Sequence, residues 1–65
     1  MRGNYTFMQD DEIRAGLGSA DDAERLRAVR YLAEHEARPE FFSALTDRIA
    51  DAHQSVRFFA LTALV

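Results

Sequence analysis

The sequence predicts an all-α domain of about four helices, arranged as two successive helix pairs in a short α-solenoid fragment. Apolar residues recur at spacings of three and four in four segments, and Gly, Pro and capping residues separate these segments. No stretch alternates between apolar and polar residues with a period of two, so no strand is expected. A shift of the sequence by about 32 residues lays the first two segments on the last two.

The first helix is predicted over residues 7–17. Thr6 is its expected N-cap and forms a capping box with Gln9, three residues later. The apolar stripe consists of residues four apart, Ile13 and Leu17. Gly18 is expected to end the helix, because glycine favours the position just after a helix terminus.

The second helix is predicted to begin after Ser19, its expected N-cap, with Asp22 as the acid of a weaker capping box. Its apolar stripe comprises Leu26, Ala28, Val29, Leu32 and Ala33. The charged residues are expected largely off this stripe: Arg25, Arg27, Arg30, Glu34 and Glu36. The helix ends before Pro39, because proline pushes the preceding residue out of the helical region.

The third and fourth helices form the second pair. Pro39 is suited to the first position of the third helix, which carries the apolar residues Phe41, Phe42, Leu45 and Ile49. Asp51, with Gln54 three residues later, is the expected N-cap of a fourth helix that continues to Val65. The predicted division is an N-terminal tail of residues 1–5 and one helical domain of residues 6–65. Its first repeat covers about 6–37 and its second about 38–65.

The two repeats match in the type of residue more than in identity. A shift of 32 places apolar residues on apolar residues and Ser19 on Asp51, both of them expected caps. Exact matches are few: Ala20, Arg25, Ala28 and Leu32. Two helices per unit at a period of about thirty residues are typical of a helical solenoid.

The second repeat resembles the HEAT repeat, in the short form of bacterial phycobilisome-lyase-like proteins. The resemblance rests on the pattern Ala44-Leu45-(x3)-Ile49-Ala50-Asp51-(x4)-Val56-Arg57-(x2)-Ala60-Leu61. A more divergent copy runs from Arg25 to Leu32, with Glu24 where the family has valine. The resemblance covers roughly residues 7–65 and implies a non-enzymatic scaffold rather than one particular function.

The resemblance also implies a polar ladder inside the array. In the family, an Asp at the start of the unit and the Arg of the Val-Arg pair form it, and Asp51 and Arg57 match those positions. Arg25 matches in the first repeat, whereas Ser19 stands where the family has Asp. The ladder is therefore expected at Asp51, Arg57 and Arg25, and Ser19 departs from the family pattern.

Composition excludes several kinds of function. The chain has 65 residues, a net charge of −3 and no Cys, and its eight basic residues are all Arg and are interleaved with acids. Nucleic-acid binding would need a basic face, and none is predicted. Residues 1–5 lack the apolar segment of a secretion signal, which favours the cytoplasm. The apolar C-terminal stretch is about half the length of a membrane span.

No catalytic, cofactor-binding or metal-binding residues are predicted. His35 and His53 lack ligand partners at the spacing of a metal site and are interpreted as surface or helix-end residues. The hydroxyl side chains lie beside no recognisable base, and Gly16-x-Gly18 lacks the third glycine of a phosphate loop. The protein is therefore predicted not to be an enzyme.

The C-terminal stretch of residues 56–65 is the best candidate for a binding site. Only Arg57 and Thr62 in it are not apolar, so a helix here needs cover on every side, and the sequence leaves no residues to provide it. In each Phe pair, Phe41-Phe42 and Phe58-Phe59, one ring can enter the core while the other serves the next repeat or a partner. The predicted partner-binding residues are Phe58, Leu61, Leu64, Val65, Phe42 and Tyr31.

Three functions remain open. The first is an adaptor that docks on a larger client protein and stabilises or protects it. The second is a self-assembling module that forms a homodimer through the C-terminal helix. The third follows the phycobilisome-lyase-like resemblance and would assist cofactor attachment or maturation by holding a client. Compact, Lys-free HEAT-like chains also resemble accessory factors of bacterial nitrogen fixation, which implies a nitrogenase component as the client.

Overall fold

Four α-helices and one 3₁₀ turn make up the secondary structure of residues 7–35 and 37–65, which are the residues that the computed structural model describes. The helices are α1 (Asp10–Leu17), α2 (Asp22–Glu34), α3 (Phe42–Arg48) and α4 (Gln54–Leu64). The 3₁₀ turn Pro39–Phe41 leads directly into α3. These residues contain no strand, so the predicted all-α class with four helices is confirmed.

The helices pack in the spatial order α1, α2, α4, α3. The most extensive contact joins α2 and α4, while α1 packs on α2, α3 packs on α4, and α1 and α3 meet in only a few places. The radius of gyration is 10.9 Å, close to the roughly 11 Å expected of a folded chain of this length. The central pair α2 and α4 thus determines how the two halves of the sequence fit together.

The core lies between the α2–α4 pair and the inner sides of α1 and α3. Every helix contributes to it, and so does Met8, which precedes α1. The buried apolar side chains are Met8, Ile13, Leu17, Ala28, Val29, Leu32, Phe41, Leu45, Val56 and Ala60. This set confirms the predicted stripes except at Leu26 and Ala33, which are only partly buried, and at Phe42 and Ile49, which are exposed.

Helix α1 begins three residues later than the sequence analysis predicted. The backbone N–H of Gln9 donates to the Glu12 side chain at 2.8 Å, and Gln9 occupies the N-cap position. The capping box therefore joins Gln9 and Glu12 rather than Thr6 and Gln9, and Thr6 lies outside the described residues. Gly18 does end the helix, with a φ of −101° rather than the left-handed conformation that favours glycine.

Helices α2 and α4 both have their N-cap two residues beyond the predicted one. Asp21, not Ser19, caps α2 by accepting a hydrogen bond from the Ala23 N–H at 3.1 Å. His53, not Asp51, caps α4, because its Nδ1 accepts from the Ser55 N–H at 3.2 Å. The predicted caps are wrong because the side chains of Ser19 and Asp51 instead accept hydrogen bonds from the N–H groups of Asp21 and His53, in the turn before each helix.

The start of the third helical segment differs from a regular α-helix. Arg38 is extended, as expected of a residue before proline, and Pro39 opens a 3₁₀ turn rather than an α-helix. Phe41 is buried at the end of that turn. Ile49 lies one residue beyond α3 and is 38% exposed, so its predicted place in the apolar stripe is wrong.

Gly16 allows the close approach of α1 and α2. A Cβ atom at this position would lie 2.9 Å from Cβ of Ala28 and 3.1 Å from the carbonyl oxygen of Glu24. Gly16→Ala is expected to destabilise the fold by a net ~1–2 kcal/mol, because the steric overlap outweighs the better helix propensity of alanine. Urea denaturation measures this change.

Gly18→Ala is the matched control for this prediction. A Cβ atom at Gly18 meets nothing closer than the Arg14 carbonyl oxygen at 3.8 Å, and its φ is open to alanine. The stability of this variant is expected to stay within ~0.5 kcal/mol of the wild type. Equal stability of the Gly16 and Gly18 variants would contradict the tight contact between α1 and α2.

Candidate protein-interaction site

A buried ion pair joins the two halves of the chain. Asp51 lies in the turn before α4, and Arg25 lies on α2; both residues are buried. Nε and Nη2 of Arg25 donate to the two carboxylate oxygens of Asp51 at 2.7 and 3.1 Å. This bidentate geometry is the strong form of a charge-assisted hydrogen bond. The prediction that Arg25 lies off the buried side of α2 is therefore wrong.

The surroundings of the pair supply further hydrogen-bond partners to both residues. The Asp51 carboxylate also accepts from the His53 N–H at 2.9 Å and from Nη1 of Arg48 at 3.2 Å. Arg25 also contacts the carboxylate of Asp22 and donates through Nη1 to the Ser19 carbonyl oxygen at 2.9 Å. Buried charges are tolerated when they are paired and hydrogen-bonded in this way.

The pair changes the acidity of both groups. Hydrogen bonds from Arg25 hold the pKa of Asp51 below its ordinary value of 3.8, and this effect outweighs the opposite effect of burial. The hydrogen bond to Asp51 raises the pKa of Arg25 above its ordinary value. Both groups therefore stay charged in the folded protein near neutral pH.

The turns before α2 and α4 have matching hydrogen bonds. The Ser19 hydroxyl accepts from the Asp21 N–H at 3.0 Å, and the Asp51 carboxylate accepts from the His53 N–H at 2.9 Å. Asp21 and His53 then cap their helices through their own side chains. Ser19 and Asp51 are 32 residues apart, as are Asp21 and His53.

Arg57 on α4 corresponds to Arg25 on α2 in the same spacing. Its Nη1 donates to the carbonyl oxygens of Asp51 and Ala52 at 2.9 and 3.2 Å, as Nη1 of Arg25 donates to the Ser19 carbonyl. No residue in 7–35 or 37–65 accepts a hydrogen bond from Nε or Nη2 of Arg57, and its side chain is exposed. The Nη1 bonds fix the guanidinium, while the three N–H groups of Nε and Nη2 have no acceptor among the described residues.

Helix α4 is buried on one side and exposed on the other. Val56 and Ala60 lie fully in the core, whereas Phe58 and Leu61 are 62% and 53% exposed. Phe58 and Leu61 are three residues apart and so are neighbours on the helix surface. Val65, four residues further, is also exposed, and Leu64 is partly buried against the core. We call Phe58, Leu61 and Val65 the apolar row of α4.

The other two predicted partner-binding residues lie on different helices. Phe42 begins α3 and is exposed, while its neighbour Phe41 is buried, so the Phe41-Phe42 pair divides between core and surface as predicted. Tyr31 on α2 is partly buried. Its ring stacks on His35 at 4.1 Å and meets the edge of Phe7 at 6.4 Å. These placements leave the partner-binding role of Phe42 and Tyr31 a prediction.

A second charged cluster, which was not predicted from the sequence, connects the 3₁₀ turn to α1. The guanidinium groups of Arg14 and Arg38 each lie 5.3 Å from the centre of the buried Phe41 ring. Arg38 pairs with Asp10 and with Glu40, and Arg14 lies 3.6 Å from Glu40. Its members are joined by ion pairs and cation–π contacts, so its role is to hold the turn over the core.

Among residues 7–35 and 37–65, no group of three His, Asp or Glu side chains is placed to hold a metal ion. His53 caps α4, and Nδ1 of His35 lies 2.9 Å from the Tyr31 carbonyl oxygen. The groove between α1 and α3 is open and carries charges of both signs. No helix within the described part of the chain has the length and apolar character to cross a membrane.

Comparisons of the chain with models of protein families, with curated proteins and with solved structures find no match. The resemblance to HEAT repeats therefore stays a prediction that rests on the residues themselves.

Proposed function

We propose that this protein is a non-enzymatic adaptor that docks on a larger client protein and stabilises or protects it. The observation that carries the proposal is the apolar row of α4, formed by Phe58, Leu61 and Val65 on the side opposite the core. Adjacent exposed apolar side chains mark interaction surfaces, and aromatic residues are enriched among those that dominate binding energy.

We further propose that the two halves are HEAT-like repeats of one solenoid unit. The matching hydrogen bonds at Ser19 and Asp51 support this proposal, and so do those of Arg25 and Arg57. In a solenoid each unit buries an apolar surface of its helices against the next unit. On this interpretation the outer side of α4 is the side on which a further helical unit would pack.

The client class comes from the resemblance alone. HEAT-like accessory factors of nitrogen fixation imply a metalloenzyme client such as a nitrogenase component. The protein needs no cofactor of its own for this role, because holding and shielding a client requires only a complementary surface. Identification of the retained client tests this part of the proposal separately from the location of the surface.

Retention of a client by variants of the tagged chain tests the adaptor function. Leu61→Asp is expected to weaken retention at least about 100-fold, because a charge in a desolvated interface costs several kcal/mol. Its fold is expected to stay intact, because Leu61 is half exposed. Quantitative pull-down, with circular dichroism of each variant, measures both effects.

Phe7→Asp is the matched control. Phe7 is as exposed as Phe58 but contacts Tyr31 on α2. This variant is expected to retain the client as the wild type does. If the Phe7 and Leu61 variants lose the client equally, or if neither loses it, α4 is rejected as the docking surface.

The alternative function is a homodimer through α4. The apolar row could pair with itself about a twofold axis, because an isologous interface uses the same surface twice. Arg57 is the only charged residue of α4, however, so two α4 helices packed together offer it no carboxylate. Sedimentation equilibrium separates the two functions, since only the homodimer predicts a dimer in the absence of a client.

A further inference from the structure

Helices α2 and α4 carry equivalent residues in different surroundings. Val29 and Leu32 on α2 are buried. Of the residues 32 positions later on α4, Leu61 is half exposed and Leu64 is partly buried. The difference follows from the packing order, because α2 lies between α1 and α4, while α4 is flanked by α2 and α3. The outer side of α4 therefore carries apolar residues whose equivalents on α2 are buried in the core.

Arg25 on α2 and Arg57 on α4 are likewise equivalent residues in different surroundings. In Arg25, Nη1 binds a backbone carbonyl, and Nε with Nη2 binds the Asp51 carboxylate. In Arg57, Nη1 binds backbone carbonyls in the same way, and Nε with Nη2 has no acceptor among the described residues. An arginine held by one side of its guanidinium presents the other side as a ready bidentate site for a carboxylate.

We propose that the outer side of α4 receives a helix pair of a partner other than a second copy of this chain. A carboxylate in the turn before the second helix of that pair binds Nε and Nη2 of Arg57. The apolar side of the same pair covers Leu61 and Phe58. This inference rests on the proposed docking function and adds the chemistry of the partner.

A second copy of this chain does not meet that chemistry. If its first half packed on α4 as the second half packs on α2, Ser19 would lie where the carboxylate is required. Its residues equivalent to Val56 and Phe59 would be Glu24 and Arg27, which are exposed and charged. A head-to-tail copy therefore presents a polar surface to an apolar one, without the acid that Arg57 binds.

An extended chain, in which residues 34–65 are repeated once after Val65, provides the test. The added segment is a helix pair with an aspartate 32 residues beyond Asp51, which is the position from which it would meet Arg57. Its thermal midpoint is expected to rise by ~10 °C or more over the natural chain, because the added unit covers the apolar row and forms a second bidentate pair.

Variants of the extended chain isolate the carboxylate. Arg57→Gln, or asparagine at the added aspartate, is expected to abolish about half of the rise, and the two changes together no more than either alone. The same Arg57→Gln change in the natural chain is expected to lower the midpoint only by the small amount that loss of the Nη1 bonds to the backbone costs, because Nε and Nη2 have no acceptor among the described residues.

The outcomes separate this inference from the proposed function. A rise that survives both changes would reject the carboxylate and leave α4 as an apolar docking surface. No rise at all would reject both the carboxylate and the docking surface. Sedimentation equilibrium of the natural chain is expected to give a monomer, and a dimer weakened by Arg57→Gln would overturn the assignment to a different partner.

Discussion

Replacement of Asp51 by asparagine is expected to lower the thermal midpoint of the chain by on the order of 10 °C, because one partner of a buried, bidentate ion pair is removed. The variant leaves the Arg25 guanidinium beside a neutral amide and takes an acceptor from Arg48. Thermal unfolding followed by circular dichroism at neutral pH measures the shift.

Asp47→Asn is the matched control for this change. Asp47 is exposed on α3 and forms no ion pair within the described residues. Its replacement is expected to shift the midpoint by no more than about 2 °C, as surface substitutions do. Equal midpoints for the Asp47 and Asp51 variants would contradict the contribution of the buried pair.

The stabilisation from Asp51 depends on pH in a direction that its pKa determines. The pKa of Asp51 in the folded protein lies below its ordinary value of 3.8. The stabilisation is therefore complete above that ordinary value and is lost as the pH falls through the lower pKa of the folded state. The difference in midpoint between wild type and Asp51→Asn should stay constant from neutral pH down to about 3.8 and shrink only at lower pH.

Leu45→Ala is the second change with a large expected effect. Leu45 on α3 is fully buried, so its truncation removes core contacts and leaves a cavity at a cost of ~2–5 kcal/mol. That loss approaches the whole stability of a domain of this size, roughly 3–10 kcal/mol. Urea denaturation is expected to show a variant that is largely unfolded or close to it.

Leu61→Ala is the control for the core substitution. The same side chain is removed from a position on α4 that is half exposed, and the expected loss of stability is below ~1 kcal/mol. Leu61→Ala is nevertheless expected to weaken client retention, although the protein stays folded. A large loss of stability at Leu61 would show that the outer side of α4 is part of the core.

The four helices could be predicted from the sequence because apolar spacing and Pro or Gly breaks are local signals. The predicted starts were displaced because several residues near each turn can cap. Ser19 and Asp51 both have capping side chains, yet their oxygens bind the N–H groups of Asp21 and His53, which take the cap positions instead. Local sequence does not distinguish these two arrangements.

The candidate site could be predicted only in part. The apolar residues on α4 were found because the stretch of residues 56–65 is unusually apolar. The resemblance placed Arg25 in a polar ladder with Asp51, but the burial of Arg25 was missed, since an arginine among other charges suggests a solvated position. Only the packing of α2 on α4 brings the two together. The orientation of Arg57 likewise depends on backbone carbonyls that sequence spacing does not reveal.

Photo-cross-linking from α4 tests the proposed docking surface most directly. A benzoyl-phenylalanine at position 61, with the same group at position 7 as the control, is activated in native lysate and the products are identified by mass spectrometry. We expect position 61 to cross-link one larger protein, at a helix pair with an acid in its connecting turn, and position 7 to give no such product. Equal cross-linking from both positions, or cross-linking of position 61 only to another copy of this chain, would contradict the adaptor function.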